Sequence, residues 1–275
     1  MATVELATGI TLYYESHGQG EPLVFIPATG FSADVWKSHQ IPELSKSMRV
    51  IVLDPRGCGR SSRVTGVCTI DQMACDVAAL LDHLKLDNAH VLGHSMGGRI
   101  ALALTLNYPK KVKSLILAAS GSGPAARPGQ DCVPGLPYFL TVELIEKGFN
   151  EFVHHEVCDT ETYFTDEYRR QNPDKVKAFY DLLWPTHAKL HDYLQLCIAR
   201  HNWEGTHRLG EIDVPTLVVI GNKDIIGSNH VPQSNVLAER IAGAKLKVLT
   251  GQSHGFFWQV PEATNEWITE WIKSH

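Results

Sequence analysis

Apolar residues in the first part of the chain follow two patterns that alternate with each other. Ile10–Tyr14 switches between apolar and polar positions, which is typical of a strand with one buried face. A continuous apolar run, which favours a strand buried on both faces, occurs at Leu23–Ile26, and further strands are predicted at Val50–Asp54, Ala89–Leu92 and Ser114–Ala119. Two predicted helices separate the later strands, over residues 69–84, where apolar positions recur at helical spacing, and over residues 97–108. This alternation of strands and helices predicts a parallel sheet that helices cover on both faces.

The alternation stops over residues 122–212 and then returns. The segment opens with a glycine- and proline-rich stretch, Gly121–Pro137, and continues with aromatic-rich helical patterns that contain no buried-strand run. The earlier pattern resumes with a strand at Pro215–Ile220, a helix near Pro232–Ile241, a strand at Lys245–Leu249 and a helix at Pro261–Lys273. A connection of roughly ninety residues is too long for an ordinary loop. We therefore expect a core domain of residues 1–121 and 213–275, with residues 122–212 inserted as a helical cap.

Composition narrows the class of protein. The 275 residues are 44% hydrophobic and 20% charged, and a net charge of −5 leaves no basic footprint for a nucleic-acid partner. No apolar run is long enough to cross a bilayer, and the N-terminus lacks the basic and apolar regions of a secretory signal. The six cysteines show no metal-ligand spacing, so we expect reduced thiols. These features predict a cytoplasmic protein without a nucleic-acid or membrane partner.

The sharpest motif is Gly93-His94-Ser95-Met96-Gly97, which fits the pattern Gly-x-Ser-x-Gly. It lies between a predicted strand and a predicted helix, which is the setting of a nucleophile elbow. A serine in such a strained turn requires small residues two positions away, and Gly93 and Gly97 provide them. The turn also places Ser95 beside helix N–H groups that favour a developing negative charge. We therefore assign Ser95 as the nucleophile; the alternative is a glycine-rich turn whose serine only caps the helix.

A serine nucleophile needs a base that takes its proton and an acid that orients the base. In proteins with a nucleophile elbow, the triad residues follow one another in the sequence as serine, then acid, then histidine. The acid is expected just past a late strand, where the active-site loops of open α/β sheets cluster. Asp224 is the first carboxylate after the strand Pro215–Ile220, whereas Asp213 precedes that strand. His254 follows the next strand and completes a predicted triad of Ser95, Asp224 and His254.

The other histidines have simpler explanations. His187 and His191 are spaced to share one face of a helix, but the segment lacks the glutamate of a zinc-binding HExxH motif and shows no third ligand. His94, the variable residue of the elbow, is expected to pack beside the site or to line it, and not to act as the base. The sequence therefore predicts no metal site.

Together these residues resemble the α/β-hydrolase superfamily, specifically its single-domain members with a helical cap, and the resemblance covers essentially the whole chain. Asp54–Ser62 resembles the Asp-x-x-Gly-x-Gly-x-Ser segment common in this group, and Ser253–Glu262 resembles its histidine loop and last helix. The resemblance implies an α/β-hydrolase fold with a mostly parallel, eight-stranded twisted sheet flanked by helices. It also implies the triad of Ser95, Asp224 and His254. The pattern is most similar to esterases, enol-lactonases and C–C-bond hydrolases of small substrates.

The loop after the strand that ends at Ile26 departs from the family pattern. Members usually carry His-Gly there, whereas this chain has Pro27-Ala28-Thr29. The resemblance implies that the main-chain N–H groups of Thr29 and Met96 form the oxyanion hole, since a backbone donor survives a side-chain change. Pro27 offers no donor, so the support that the usual histidine gives the loop is lost or replaced.

Phe31, Trp184 and Phe256 are candidate substrate contacts, with packing inside the cap as the alternative for Trp184. An aromatic-rich cap favours a pocket for a small, moderately apolar molecule. We expect a serine hydrolase that cleaves a carboxylic ester or lactone through an acyl-enzyme on Ser95, with no metal or organic cofactor. C–C-bond hydrolysis of a diketone-type substrate needs the same triad, and a ligand-binding protein on the same scaffold is the non-catalytic alternative. Ser95 argues against relatives with an elbow aspartate, which cleave carbon–halogen bonds or epoxides.

Overall fold

The computed structural model describes residues 2–123, 144–225 and 230–275. Within these ranges the chain forms one sheet of eight strands in the order β1-β2-β4-β3-β5-β6-β7-β8. The strands are β1 (Ala2–Glu5), β2 (Thr11–His17), β3 (Pro22–Ile26), β4 (Arg49–Asp54), β5 (Ala89–His94), β6 (Val112–Ala118), β7 (Thr216–Gly221) and β8 (Lys245–Leu249). The pairs that involve β1 and β2 are antiparallel, and every pair from β4 across to β8 is parallel. The mostly parallel, eight-stranded sheet expected from the sequence is therefore confirmed.

Helices connect the strands. Residues 144–147 are helical, and the α-helices whose bounds lie within the described ranges are α1 (Gln40–Leu44), α2 (Ile70–His83), α3 (Met96–Asn107), α4 (Phe149–His154), α5 (Asp166–Gln171), α6 (Pro173–Leu183), α7 (Leu190–Asn202), α8 (His230–Arg240), α9 (Phe256–Gln259) and α10 (Pro261–Lys273). Short 3-10 helices cover Ala33–Trp36, Pro109–Lys111, Trp184–Thr186 and Thr206–Glu211, and a π-helical turn covers His155–Asp159. Between β6 and β7 the described residues contain helices and no strand, whereas residues 124–137 of the glycine- and proline-rich stretch lie outside them. The cap boundaries at 122 and 212 stay a prediction.

Alternation of side chains along the central strands builds one apolar core on each face of the sheet. In β3, Val24 and Ile26 belong to one cluster, and Leu23 and Phe25 belong to the other. Helices α2 and α3 pack on the first cluster, and α10 packs on the second. Because β5 and β7 are buried at every position, both of their faces favour apolar residues, and most residues of β7 follow this pattern, whereas β5 also buries His90 and His94.

The structure adds two elements that the apolar pattern does not predict. β1 is an edge strand of 4 residues with no buried position, so no apolar signal marks it. Helix α9 covers only 4 residues, too few for a helical period to show. The strand predicted at Ser114–Ala119 ends at Ala118, because Ala119 takes a φ of +47° where the chain leaves the sheet. Among the described residues, no helix combines the length and the hydropathy needed to span a bilayer.

Buried Asp54 joins the loops that follow β3 and β4. Its carboxylate accepts hydrogen bonds from the main-chain N–H of Ala33 at 2.7 Å and of Arg60 at 2.8 Å, and it also pairs with the Arg60 guanidinium. The backbone of Gly59 passes so close that a Cβ there would lie 2.1 Å from Asp54 Oδ2. Gly59 donates its own N–H to the Thr186 carbonyl at 3.0 Å. The Asp54–Ser62 segment thus fixes loop geometry at the carboxyl end of the sheet.

His90 of β5 makes the stability of the fold depend on pH. Its ring is fully buried, its Nδ1 lies 2.7 Å from Ser114 Oγ on β6, and burial lowers the pKa of His90 to about 4. Because this pKa lies below the unfolded value of about 6.5, the unfolded chain takes up the proton first as the pH falls. The contribution of His90 to stability is therefore intact above about pH 6.5 and is lost on acidification towards about pH 4.

We expect His90→Gln to flatten the fall in the free energy of unfolding between about pH 6.5 and about pH 4.5, because glutamine does not titrate there. Urea denaturation at several pH values measures this slope. His207→Gln is the matched control, since His207 is exposed on the surface, and it should keep the wild-type slope. A wild-type slope in His90→Gln would show that protonation of His90 does not drive the acid sensitivity.

Candidate active site

Ser95 occupies the turn between β5 and α3 in a strained backbone conformation. Its φ of +56° and ψ of −116° lie in a region that residues with a side chain rarely adopt. The Ser95 N–H donates to the Ala118 carbonyl at 2.8 Å, and the Ser95 carbonyl accepts a hydrogen bond from Ser120 Oγ at 2.7 Å. Strand β6 and the residues after it therefore hold the turn through both main-chain polar groups of Ser95.

The glycines of the motif let three main-chain segments meet at this turn. A Cβ on Gly93 would lie 2.2 Å from the Gly97 carbonyl oxygen, and a Cβ on Gly97 would lie 2.1 Å from the carbonyl oxygen of Ile26. Both contacts are with backbone, which cannot move aside as the end of a flexible side chain can. Small residues are required on each side of Ser95 because the end of β3, the end of β5 and the start of α3 touch here.

The structure brings Asp224 and His254 together on the loops that follow β7 and β8. His254 Nδ1 lies 2.7 Å from Asp224 Oδ2, and both side chains are buried. Burial alone would raise the pKa of Asp224, but His254 and His230 hold it well below its ordinary value, so the carboxylate is charged at neutral pH. The bond to Nδ1 leaves Nε2 as the ring nitrogen that a general base would use. The Asp224–His254 contact is thus the kind that an acid makes with the base it orients.

Two further histidines contact His254. The ring centroids of His94 and His254 lie 4.6 Å apart, and His94 Nε2 donates to the His254 carbonyl at 3.1 Å. The His230 ring stacks on His254 at 5.1 Å between centroids, and its Nδ1 lies 3.4 Å from Asp224 Oδ1. Burial lowers the pKa of both His94 and His230, so both rings are neutral at pH 7. Because His94 directly precedes Ser95, these contacts place the elbow beside the Asp224–His254 pair.

Sequence reasoning misses His230. The signal that could have found it is its position 6 residues after Asp224, at the start of α8. Asp224, His230 and His254 place ligand atoms within 4.8 Å of one another, so their side chains could hold a metal ion. A metal ion bound by all three would break the Asp224–His254 hydrogen bond, so this grouping and a working base exclude each other.

Thr29, in the loop after β3, and Met96, at the start of α3, are the residues predicted to form the oxyanion hole. Residues 28–31 form a tight turn, closed by a 3.1 Å hydrogen bond from the Phe31 N–H to the Ala28 carbonyl, and Gly30 supplies its φ of +79°. Met96 is the first residue of α3. Neither the Thr29 N–H nor the Met96 N–H has an acceptor among the described residues, so both are available to an oxyanion.

The helical segment between β6 and β7 supplies support for this loop. Ala188 donates its N–H to the Gly30 carbonyl at 2.8 Å, and the His187 ring packs so closely that a Cβ on Gly30 would lie 2.7 Å from it. Arg200 Nη1 donates to Thr29 Oγ1 at 3.2 Å. These contacts hold the loop of Thr29 against the helical segment.

The three predicted substrate contacts have different surroundings. Phe31 is buried and stacks on Tyr163 at 5.4 Å between centroids, and the Tyr163 ring lies 5.7 Å from the His254 ring. Trp184 stacks on a tyrosine of α6 at 6.0 Å, which is the packing expected of a residue inside the helical segment. Phe256 is fully buried beside the histidine loop. Substrate contact by these residues stays a prediction, and Tyr163 is a neighbour of the base that sequence reasoning misses.

Known proteins resemble the chain along nearly its full length. A family model described as the alpha/beta hydrolase fold matches residues 21–261, a range that contains every predicted triad residue. The chain is 29% identical over 262 residues to the protein named putative carbamate hydrolase RutD of Azorhizobium caulinodans, with 94% of this chain and 93% of the relative covered. It is 29% identical over 287 residues to a 2-hydroxy-6-oxononadienedioate/2-hydroxy-6-oxononatrienedioate hydrolase of Burkholderia vietnamiensis, with 98% of this chain and 93% of the relative covered.

A solved structure extends the likeness to the fold and to a lactone-degrading protein. The structure of Est816, described as an N-acyl homoserine lactone degrading enzyme, superimposes on this chain with a TM-score of 0.78 at 29% sequence identity. The superposition covers 98% of this chain and 99% of that one. Shared sequence and shared architecture thus extend over both halves of the sheet and the segment between them.

Gly97→Ala tests the close contact at the elbow. The added Cβ would lie 2.1 Å from the Ile26 carbonyl oxygen, so β3 or α3 has to shift. We expect the free energy of unfolding in urea to fall by about 1 to 3 kcal/mol or more. Gly210→Ala is the matched control, because no atom lies within 4 Å of a Cβ at that position, and it should stay within about 1 kcal/mol of wild type. Equal losses in both variants would contradict the explanation by close contact.

Proposed function

Because the chain belongs to the α/β-hydrolase fold family, we propose that this hydrolase cleaves a carboxylic ester or lactone bond of a small molecule through an acyl-enzyme on Ser95. The observation that carries the proposal is the buried Asp224–His254 hydrogen bond of 2.7 Å beside the strained turn of Ser95. A serine hydroxyl is a poor nucleophile until a neighbouring base takes its proton, and an oriented histidine is the usual base in acyl transfer. A protein that only bound a ligand would not need Ser95, Asp224 and His254 together.

In the proposed first step, Ser95 Oγ attacks the substrate carbonyl carbon while His254 Nε2 takes the hydroxyl proton. The Asp224 carboxylate stabilises the imidazolium that forms and holds its Nδ1–H. The tetrahedral intermediate collapses when the bond between the carbonyl carbon and the alcohol oxygen breaks, and the imidazolium gives that oxygen its proton. An acyl ester on Ser95 and a free alcohol result.

In the proposed second step, water takes the place of the alcohol. His254 accepts a proton from a water molecule whose oxygen attacks the acyl carbonyl, and the proton passes to Ser95 Oγ as the acyl–serine bond breaks. The N–H groups of Thr29 and Met96 are the proposed donors to the oxyanion in both steps. Side chains of this protein supply every proton transfer, so the proposed steps use no metal or organic cofactor.

The side chains beside His254 support the proposed substrate class. Phe31 and Tyr163 stack at 5.4 Å between centroids and form an apolar wall next to the base, which suits a small, moderately apolar molecule. The likeness to Est816 adds support for a lactone, since that protein is described as degrading an N-acyl homoserine lactone.

Hydrolysis of an oxo acid is the second candidate, because the relative from Burkholderia vietnamiensis is named as a hydrolase of 2-hydroxy-6-oxononadienedioate. The same triad would serve cleavage of a carbon–carbon bond beside the oxo group. Parallel assays with 4-nitrophenyl butyrate and with a 2-hydroxy-6-oxodienoate separate the two candidates. Turnover of the oxo acid alone would replace the ester proposal.

A fluorophosphonate probe tests Ser95 as the nucleophile. We expect one adduct on the folded protein, mapped to Ser95 by peptide mass spectrometry, because an activated serine attacks the phosphorus and displaces fluoride. Ser95→Ala should form no adduct and should lose the hydrolysis of 4-nitrophenyl butyrate, and heat-denatured wild type is the control for unspecific labelling. Folded protein without an adduct at Ser95 would overturn the proposal in favour of the ligand-binding alternative.

Thr29→Pro removes the N–H proposed for the oxyanion hole, and Thr29→Ala keeps it. Thr29 is the second residue of the turn over residues 28–31, a position that accommodates proline, so the variant should fold. We expect kcat for 4-nitrophenyl butyrate to fall by about a hundredfold in Thr29→Pro, the usual effect of one lost donor. Thr29→Ala loses only the hydroxyl that Arg200 contacts and should retain a much higher kcat. Equal kcat values in two folded variants would remove Thr29 from the hole.

A further inference from the structure

Two arginines, Arg99 and Arg200, meet beside the loop of Thr29. Arg99 lies on α3 directly behind the elbow, and Arg200 lies in the last turn of α7. The Arg99 guanidinium donates to the Arg200 carbonyl, and Arg200 Nη1 donates to Thr29 Oγ1 at 3.2 Å. These two contacts join the nucleophile helix, α7 and the candidate oxyanion loop into one cluster.

Neither arginine forms an ion pair with any described residue. Arg99 is buried, and burial together with the charge of Arg200 lowers the pKa of Arg99 to about 9, which leaves it charged at neutral pH. The charge of Glu204 acts on Arg99, but the two side chains do not pair. A buried charge is costly when nothing pairs with it, and no described residue pairs with the buried Arg99 or the half-buried Arg200, so an anion would stabilise this cluster.

Arg200 lies close to the groups that the proposed reaction uses. Its charge acts on the hydroxyl groups of Tyr163 and Tyr193, and the Tyr163 ring lies 5.7 Å from the His254 ring. A guanidinium has five N–H donors in a planar fork that matches a carboxylate. In the described part of the chain, Thr29 Oγ1 is the acceptor that the half-buried Arg200 side chain meets.

We propose that Arg200 binds a carboxylate of the substrate, so that the preferred ester or lactone carries an anionic group apart from the bond that is cleaved. The inference rests on the proposed function. Arg99 acts as a positioning residue, because its bond to the Arg200 carbonyl holds the end of α7 against α3. The other explanation of Arg200 is a cation that stabilises the C-terminal end of α7. That role predicts no dependence on the charge of the substrate.

The test compares esters that differ in charge and share their shape. The 4-nitrophenyl half-esters of glutarate and adipate carry a terminal carboxylate, and 4-nitrophenyl 5-methylhexanoate and 6-methylheptanoate carry a neutral isopropyl group in its place. We expect wild type to prefer the charged ester in at least one pair, measured as a ratio of kcat/KM values. In Arg200→Gln this ratio should fall by about ten- to a hundredfold, the usual effect of lost hydrogen bonds to a charged group.

Two further variants separate binding from structure. Arg200→Lys keeps the charge without the planar fork, so the ratio should fall only in part. Arg170→Gln is the matched control, because this exposed arginine of α5 pairs with Asp166, and it should keep the wild-type ratio. A structural role of Arg200 would lower kcat/KM for both esters of a pair and leave the ratio unchanged.

Binding of free glutarate, measured by isothermal titration calorimetry, gives a readout that needs no ester cleavage. We expect wild type to bind glutarate more weakly as salt is added, and Arg200→Gln to lose affinity by about tenfold or more. If the protein binds glutarate through Arg200 but cleaves no ester, the proposed carboxylate site stands and the proposed esterase function is overturned. Cleavage of neutral esters with an unchanged ratio in Arg200→Gln would keep the function and overturn the carboxylate site, and the absence of both activities would overturn both.

Discussion

Contact between main-chain atoms at the turn of Ser95 is the constraint on which the rest of the site depends. Gly97 lies against the Ile26 carbonyl and Gly93 lies against the Gly97 carbonyl, so the end of β3 and the start of α3 are fixed relative to each other. That contact brings the loop of Thr29 and the first N–H groups of α3 to the same place. The strained φ of Ser95 costs on the order of 1–3 kcal/mol. Hydrogen bonds to its N–H and to its carbonyl, made with Ala118 and Ser120, offset this cost.

The charge states of the groups around His254 depend on their burial and on their contacts with one another. Asp224 keeps its negative charge because histidine rings face it, although it is buried. His94 and His230 touch the same ring of His254, and burial keeps both of them neutral. A positive charge that forms on His254 therefore meets one carboxylate and no competing imidazolium. The two histidines that contact the base thus add no positive charge beside it at neutral pH.

Some parts of this site are predictable from the sequence, because their signal lies within one strand or in the residues that directly follow it. The residues of β3 are apolar because both faces are buried, and Asp224 and His254 follow strands whose carboxyl ends share one edge of the sheet. β1 leaves no signal because it is a half-exposed edge strand. Tyr163 and His230 reach His254 through tertiary packing of segments that carry no motif. The bond from Arg200 to Thr29 joins residues 171 positions apart, and no periodicity in the chain encodes such a pair.

The contacts of Ala188 and His187 with Gly30 have a consequence for how this chain can be recombined. In a chimera that received another helical segment, the loop would keep its support only if that segment offered an N–H to the Gly30 carbonyl and a ring to pack on Gly30. A chimera that received only another loop would need a residue as small as Gly30 at that position, because the His187 ring already fills the space beside it. The loop and the helical segment therefore have to be exchanged together. They behave as one unit in such a chimera, although most of the chain between them belongs to the sheet and its own helices.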